Sequence, residues 1–361
     1  MSLSEFRQTL QERLLTLAWR QWTALGVLGT TSSEDPWAID PEALLIFSLE
    51  LCRYEPRLFD EILAWLEKNG EWLDNARLRR LLGNQEANTV CVVGGALQYL
   101  AEKGQERKWK NLVGFCESKK PAASEPLEPL FKTPTGKFHP RAEDENIDPS
   151  FKAFGFNRPR IKVQKKAKEV PVNAASNIRF LMRSLFGVGA KSEVLLYLLT
   201  HNEGSPKEIA DSAGLFWLSV QQALVDVSKS GLVLRRPHGK KIEYWLSRPK
   251  WWSFIAGSDL RYASEPEWLN WTMIFPSLAA IWRAFDEIVK TKSSDYMRGS
   301  KLMDIHPHVE TVAREFGRAG FHVGDVPSTG LPLELYQEML LRFLGAIFDV
   351  RVKKIEESVS R

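Results

Sequence analysis

The chain has 361 residues, of which 44% are hydrophobic and 26% are charged, a composition typical of a folded globular protein and outside the range of a disordered one. At roughly 100 to 200 residues per domain, this length predicts two or three domains. The three cysteines, Cys52, Cys91 and Cys116, are widely spaced and contain no C-x-x-C pair, which argues against a disulfide framework and favours a reducing compartment.

The start of the chain is amphipathic and interrupted by charges, unlike a signal peptide. The longest lightly charged apolar run, residues 271–282, is far shorter than the roughly 20 residues that a membrane span requires. We therefore expect a cytoplasmic protein with no membrane partner.

The formal net charge of +4 is unevenly distributed along the chain. Residues 1–117 carry −4, residues 118–176 and 177–256 carry +5 each, and residues 257–361 carry −2. A basic middle between acidic ends is the electrostatic footprint of a nucleic-acid-binding protein, although excesses this small also occur on many neutral surfaces.

Residues 1–117 have helical apolar spacing throughout and predict an all-α domain of five or six helices. Asp40, before Pro41, is placed as the N-cap of one of them. Further helices are predicted at residues 56–69, 73–82, 86–103 and 106–115. The glycines in residues 92–96 lack the third glycine of a dinucleotide fingerprint, so we expect them to permit close helix packing.

Residues 118–176 contain eight prolines, which prevent any long helix and predict a linker. This segment contains a basic run that could bind phosphates or could simply be solvated. The run consists of Arg158, Arg160, Lys162, Lys165, Lys166 and Lys168. The apolar side chains of Phe151, Phe154, Phe156 and Ile161 predict that part of this linker docks on a domain surface.

Residues 177–256 predict four short helices followed by a hairpin. The helices fall at residues 178–186, 191–201, 206–213 and 217–230, and Ser205 with Glu208 forms a capping box before the third. Gly214 supplies a tight turn between the last two helices, as in a helix-turn-helix. Two alternating runs, residues 232–236 and 241–246, flank a Pro/Gly turn and predict a β-hairpin.

This segment resembles the winged helix-turn-helix of the ArsR and MarR type bacterial regulators. The resemblance lies in residues 177–246: Ser205-Pro-Lys-Glu-Ile-Ala210, Ala213-Gly-Leu215, Val220, Leu224, Lys229-Ser-Gly-Leu-Val233 and the basic hairpin after them. It implies a DNA-binding transcriptional regulator, commonly a dimer, whose second helix enters the major groove. The metal-sensing cysteines of some ArsR-type proteins have no counterpart here, and we expect no metal or cofactor.

Carried over by position, the resemblance implies two sets of DNA-binding residues. The groove-facing set is Trp217, Leu218, Ser219, Gln221 and Gln222. The phosphate-contacting set is Lys207, Lys229, Arg235, Arg236, His238, Lys240 and Lys241. Glutamine suits base edges because it can pair bidentately with adenine.

The apolar run Phe216, Trp217 and Leu218 departs from the usual polar start of a recognition helix. These side chains could touch thymine methyl groups. They could also pack against protein, which would make the segment a protein-interaction or scaffold module without sequence-specific DNA binding.

Residues 257–361 return to helices, predicted at residues 266–291, 297–319 and 333–358. The last has a wide apolar face: Leu333, Tyr336, Leu340, Phe343, Leu344, Ile347, Val350 and Val352. Such a face needs a covering surface, either the rest of this chain or a second copy in a homodimer.

The sequence favours no enzymatic chemistry, and we expect no catalytic residues. Residues 187–192 imitate a phosphate-binding loop, but Ala190 replaces the last glycine and a helix precedes it. Asp304, His306 and His308 are close together, yet Pro307 intervenes and no further ligand set is evident.

The sequence as a whole predicts a mainly α protein: a helical domain (1–117), a Pro-rich basic linker (118–176), a winged helix-turn-helix (177–256) and a helical C-terminal region (257–361).

Overall fold

The computed structural model describes residues 2–29, 35–121, 126–160, 167–239, 241–256, 265–290 and 295–348. Within these residues the protein is mainly helical, as the sequence predicts, with two small two-stranded sheets. No helix in this part of the chain combines the length and the apolar character needed to cross a membrane.

Six helices form the first segment of the chain. They are α1 (Leu3–Ala24), α2 (Pro41–Leu51), α3 (Pro56–Asn69), α4 (Asn75–Leu82), α5 (Ala87–Leu100) and α6 (Glu106–Glu117), with a π-helical turn at Ala101–Gln105. Asp40 is the N-cap of α2, and its carboxylate accepts a hydrogen bond of 3.1 Å from the backbone N–H of Ala43, which confirms the predicted start of that helix. The three cysteines are buried and unpaired.

The proline-rich segment docks on these helices. It contains a short helix, α7 (Pro149–Lys152), and two parallel strands, β1 (Glu128–Pro129) and β2 (Phe156–Asn157). Phe151 and Phe154 are buried against α5, where Gly95 and Gly94 leave no room for a Cβ atom. The predicted docking is confirmed for Phe151, Phe154 and Phe156, whereas Ile161 lies outside the described residues. The glycines of α5 thus permit close packing, as expected.

The interpretation of Arg158 as part of a phosphate-binding arm is wrong. Its side chain is fully buried, its guanidinium forms an ion pair of 2.5 Å with Asp60, and it lies 4.7 Å from the ring centre of Phe151. Arg160 and Lys168 are exposed, whereas Lys162, Lys165 and Lys166 lie outside the described residues.

Residues 178–256 form five helices and a hairpin. The helices are α8 (Ile178–Phe186), α9 (Ala190–Thr200), α10 (Pro206–Ala213), α11 (Trp217–Ser228) and α12 (Arg248–Ala256). Strands β3 (Val233–His238) and β4 (Lys241–Leu246) pair antiparallel between α11 and α12, in register from Val233 with Leu246 to His238 with Lys241. Most of a second hydrophobic core, separate from the larger one, comes from this segment.

Three helices follow: α13 (Trp271–Lys290), α14 (Asp295–Arg318) and α15 (Leu333–Phe348). They join the core built by α1 to α6. On α15 the buried apolar side chains are Tyr336, Leu340, Phe343, Leu344 and Ile347, and this helix packs against α1 and α14. The rest of the chain therefore covers these five residues without a second copy, whereas Val350 and Val352 lie outside the described residues. A homodimer stays a prediction.

A buried ionic network joins the first segment to α8 and α9. Arg183 donates to both carboxylate oxygens of Glu42, at 2.8 and 3.0 Å, and to Glu193 at 2.7 Å. This network consists of three arginines and three acids, so its formal charge is zero. Its members are Arg77, Arg179, Arg183, Asp40, Glu42 and Glu193.

Two acids of the network, Asp40 and Glu42, stay ionised although their side chains are out of contact with water. Burial alone would raise the pKa of Glu42, but the guanidinium groups of Arg183 and Arg77 outweigh burial and lower that pKa below its ordinary value. Asp40 behaves in the same way, because Arg77 and Arg179 more than offset its burial and lower its pKa. Each of the six buried charges therefore has a partner of opposite sign, as stable burial of a charge requires.

The turn between α10 and α11 rests on α4. Arg77 donates through Nε to the carbonyl of Ala213 at 2.6 Å. Gly214 has a φ of +65°, and a Cβ on it would lie 2.9 Å from Cδ2 of Leu81 and 3.2 Å from Cγ2 of Thr272. Both the left-handed conformation and the close approach require glycine at this position.

Replacing Arg183 with methionine, Arg183→Met, should lower the free energy of unfolding by about 3 to 5 kcal/mol, because it leaves a net negative charge buried in the network. Urea denaturation would measure this loss. The control is Arg342→Met, which removes a pair with Glu338 that is exposed on α15 and should cost at most about 1 kcal/mol. Equal losses in the two variants would show that the network does not stabilise the fold.

Gly214→Ala should destabilise the protein more than Gly231→Ala. Both glycines have positive φ, so both variants carry the conformational cost of about 1 to 2 kcal/mol, but only at position 214 does the new methyl group meet α4 and α13, since nothing lies within 4 Å of a Cβ at position 231. Thermal unfolding of the two variants side by side isolates the steric part. Equal unfolding midpoints would contradict the close approach.

Candidate nucleic-acid interface

Helix α11 buries one side and leaves the other open. Val220, Ala223 and Leu224 are buried in the core of residues 178–256. The predicted groove-facing residues form what we call the outer face: Trp217, Leu218, Ser219 and Gln222 are exposed, and Gln221 is half-buried. No described part of the chain covers this face.

The start of α11 is apolar and exposed. Phe216 is the residue before the helix, and its side chain, which is 51% exposed, has no oxygen that could accept a hydrogen bond from the first turn. Trp217 and Leu218 are 50% and 70% exposed. Three consecutive large apolar side chains in contact with water are unusual on a protein surface and are typical of a binding site.

The hairpin carries the predicted phosphate-contacting cations in exposed positions, but part of their charge is already balanced. Arg235 is exposed. Arg236 lies 2.6 Å from Glu203 and 3.4 Å from Glu243, and Nδ1 of His238 lies 2.6 Å from Glu243. Lys240 lies outside the described residues. Phosphates would have to compete with these carboxylates for the hairpin cations.

Lys241 is tied to the start of α10. Its ammonium lies 3.2 Å from Glu208, the acid of the capping box. The hydroxyl and the backbone N–H of Ser205 donate to the same carboxylate and, together with Lys241, lower the pKa of Glu208. The hairpin is further joined to the chain before α10 by two backbone hydrogen bonds of 3.0 Å between Gly204 and Tyr244.

The far end of the outer face carries an acid. The side-chain amide of Gln222 donates to Asp226 at 3.2 Å, which orients the glutamine. Lys229 and Lys191 lie 3.1 and 3.4 Å from the same carboxylate, so Lys229, predicted to contact phosphate, is exposed but paired. Lys207 is exposed on α10.

One cation next to the outer face is not among the residues predicted from the sequence. The guanidinium of Arg80, on α4, lies 5.1 Å from the ring centre of Phe216. Nothing in the spacing of residues on α4 indicates this contact, because the two residues are joined only through the tertiary packing of α4 against the turn at Gly214.

The residues of two motifs that imitate sites make local contacts within or beside their own helices. In residues 187–192, Ala190 begins α9, and the hydroxyl of Ser192 donates to the carbonyl of Gly189 at 2.8 Å. His306 lies 3.3 Å from Glu310, one turn further along α14. In the described part of the chain no three His, Cys, Asp or Glu side chains are grouped so that they could hold a metal ion.

Comparison with protein-family models, with curated proteins and with solved structures finds no match to this chain. The resemblance to the ArsR and MarR type regulators therefore rests on the residues of the chain itself.

Proposed function

We propose that this protein binds double-stranded DNA through residues 177–246, acting as a winged helix-turn-helix, and that it serves as a transcriptional regulator. The observation that carries the proposal is the open outer face of α11. Helix α10, the turn at Gly214 and α11 have the connectivity of a helix-turn-helix, and the exposed hairpin follows directly, as a wing does.

In the proposed complex the two sides of this surface have different tasks. Gln221, Gln222 and Ser219 meet base edges in the major groove, while Trp217 and Leu218 meet thymine methyl groups. Exposed cations on the hairpin, Arg235 above all, and Lys207 on α10 meet the phosphate backbone and fix the register of the protein on the duplex.

A second candidate function is docking of a protein partner on the same surface. The exposed apolar run Phe216, Trp217 and Leu218 favours it, as do Leu234 and Ile242, which are 47% and 45% exposed on the hairpin. Such residues at the centre of a protein interface would account for the apolar start of α11 without DNA. The two candidates differ in salt dependence, because only the phosphate backbone imposes a steep one.

The proposal predicts that the triple variant Arg235→Gln, Arg236→Gln and Lys241→Gln binds a DNA duplex more weakly, with a shallower salt dependence. Each lost phosphate contact removes about 0.9 from the slope of log K against log salt. Because Arg236 and Lys241 already pair with carboxylates, the slope should fall by less than the roughly 2.7 expected for three unpaired cations. Fluorescence anisotropy across a salt series measures it.

Gln222→Ala is the comparison variant. It should keep the salt slope of the wild type and relax the sequence preference, measured by selection from a random duplex pool, because its side chain carries no charge. An unchanged slope of log K against log salt in the triple variant would contradict the assignment of the hairpin as a wing. If the wild type binds no duplex at low salt, docking of a protein partner becomes the better candidate function.

Adding duplex should also protect Trp217 from oxidation. Hydroxyl-radical labelling read by mass spectrometry should show a several-fold lower modification of Trp217 in the complex, because a helix lying in the major groove loses its contact with water there. Phe138 is the internal control, since it is 47% exposed in the proline-rich segment and outside the proposed interface. Duplex binding without protection of Trp217 would contradict insertion of α11.

A further inference from the structure

We propose that α4 extends the DNA-binding surface beyond residues 177–246, and that Arg80 binds a backbone phosphate beside the groove that α11 enters. This inference rests on the proposed DNA binding and adds to it a residue from a distant part of the chain. The partner chemistry is the phosphodiester backbone of duplex DNA.

The placement of α4 supports this inference first. One side of α4 contacts the turn between α10 and α11: Arg77 bonds to Ala213, Leu81 lies against Gly214, and Arg80 lies over Phe216. Positions 77, 80 and 81 share one helical face, since residues three and four apart are neighbours on a helix. The side chain of Arg80 therefore lies at the start of α11.

The dimensions of the duplex then bring Arg80 to a phosphate. An α-helix with its side chains is about 10 to 12 Å across, and the major groove is about 12 Å wide. A helix that fills the groove has the two phosphate backbones directly at its sides. A cation packed on the residue that precedes α11 is at the right place to meet one of them.

The state of the Arg80 guanidinium is the third argument. It lies 5.1 Å from the Phe216 ring centre and is half-buried, and it has no ion pair with any acid of the described residues. Arg236 and Lys241 on the hairpin, in contrast, pair with Glu203 and Glu208. Stacking on an aromatic ring leaves the N–H edge of a guanidinium free, and that edge can bind phosphate bidentately.

The fold already restricts the Arg80 side chain, which leans on the Phe216 ring. Arg77, one turn earlier on α4, is fully buried in the ionic network, so the helix backbone is held in place. A side chain that is positioned before binding loses little entropy when it meets its ligand. Arg80 should therefore contribute more per charge than a solvated lysine.

The test measures binding of the full chain to a mixed-sequence DNA duplex across a salt series. Arg80→Gln should reduce the slope of log K against log salt by about 0.9, the value for one phosphate contact. Arg80→Lys should keep the slope, because it keeps the charge. A purely structural role at the Phe216 ring would instead affect both variants alike, and that result would overturn the inference.

Arg141→Gln is the control for loss of one arginine charge outside the proposed interface. Arg141 lies in the segment that reaches the far end of α13, where a Cβ on Gly136 would lie 3.7 Å from Cε of Lys290. Thr272 lies at the other end of α13, next to Gly214. Positions 272 and 290 are about 27 Å apart along this helix, at 1.5 Å per residue. Arg141→Gln should leave the slope unchanged.

The outcomes separate the inference from the proposed function. If the wild type binds with a steep slope and Arg80→Gln keeps it, α4 is outside the interface while DNA binding by α11 stands. If the wild type does not bind duplex at low salt, both are overturned. Thermal unfolding midpoints equal to that of the wild type exclude misfolding as the cause of a change in either variant.

Discussion

The buried network of three arginines and three acids fixes the position of α8 to α11 on the rest of the protein. Asp40, Glu42 and Arg77 come from the first segment, and Arg179, Arg183 and Glu193 from α8 and α9. The first half carries −1 and the second +1, so neither half is neutral by itself. An arrangement that kept these side chains buried but shifted one half against the other would leave charges unpaired and out of contact with water, so the network disfavours other ways of packing the two segments together.

Backbone carbonyl groups complete this network and connect it to the turn at the candidate interface. Arg183 donates to the carbonyl of Trp72 at 2.6 Å, and Arg179 to that of Ile39 at 3.1 Å. Arg77 donates to the carbonyl of Ala213, the last residue of α10. The same arginine therefore belongs to the ionic network and holds the turn before α11. The outer face of α11 is thus oriented by charges that lie in the interior of the protein.

The sequence predicts the local structure of the candidate interface well. The capping box at Ser205, the turn at Gly214 and the alternating strands of the hairpin are all signals carried by neighbouring residues, and the structure has helices and strands at those positions. Helix ends differ from the prediction by a few residues. Caps and turns depend on hydrogen bonds within a few residues, and these are visible in a sequence.

What the sequence does not predict depends on contacts between distant segments. Arginines at positions 179 and 183 are as compatible with a solvated helix face as with a buried network, because only their acid partners at the start of α2 and on α9 decide their burial. Arg158 is the same kind of residue, since the nearer of its two acid partners, Asp60, lies on α3. A lone arginine in a sequence carries no information about the distance to the nearest carboxylate, so the charged residues were the least predictable part of this fold.

The distribution of charge also bears on how the proposed complex would form. Residues 177–256 carry a net +5, a value that already includes their acids. Two of their arginines lie with Glu193 in the buried network, and several of their surface cations pair with nearby acids. Few cations of this segment are therefore left that could contact a phosphate without first giving up an ion pair. Recognition in the proposed complex would then depend more on close contacts along α11 and on a few fixed cations such as Arg80. A surface of that kind favours discrimination between sequences over tight binding to any duplex, because non-specific binding comes almost entirely from unpaired cations on phosphates.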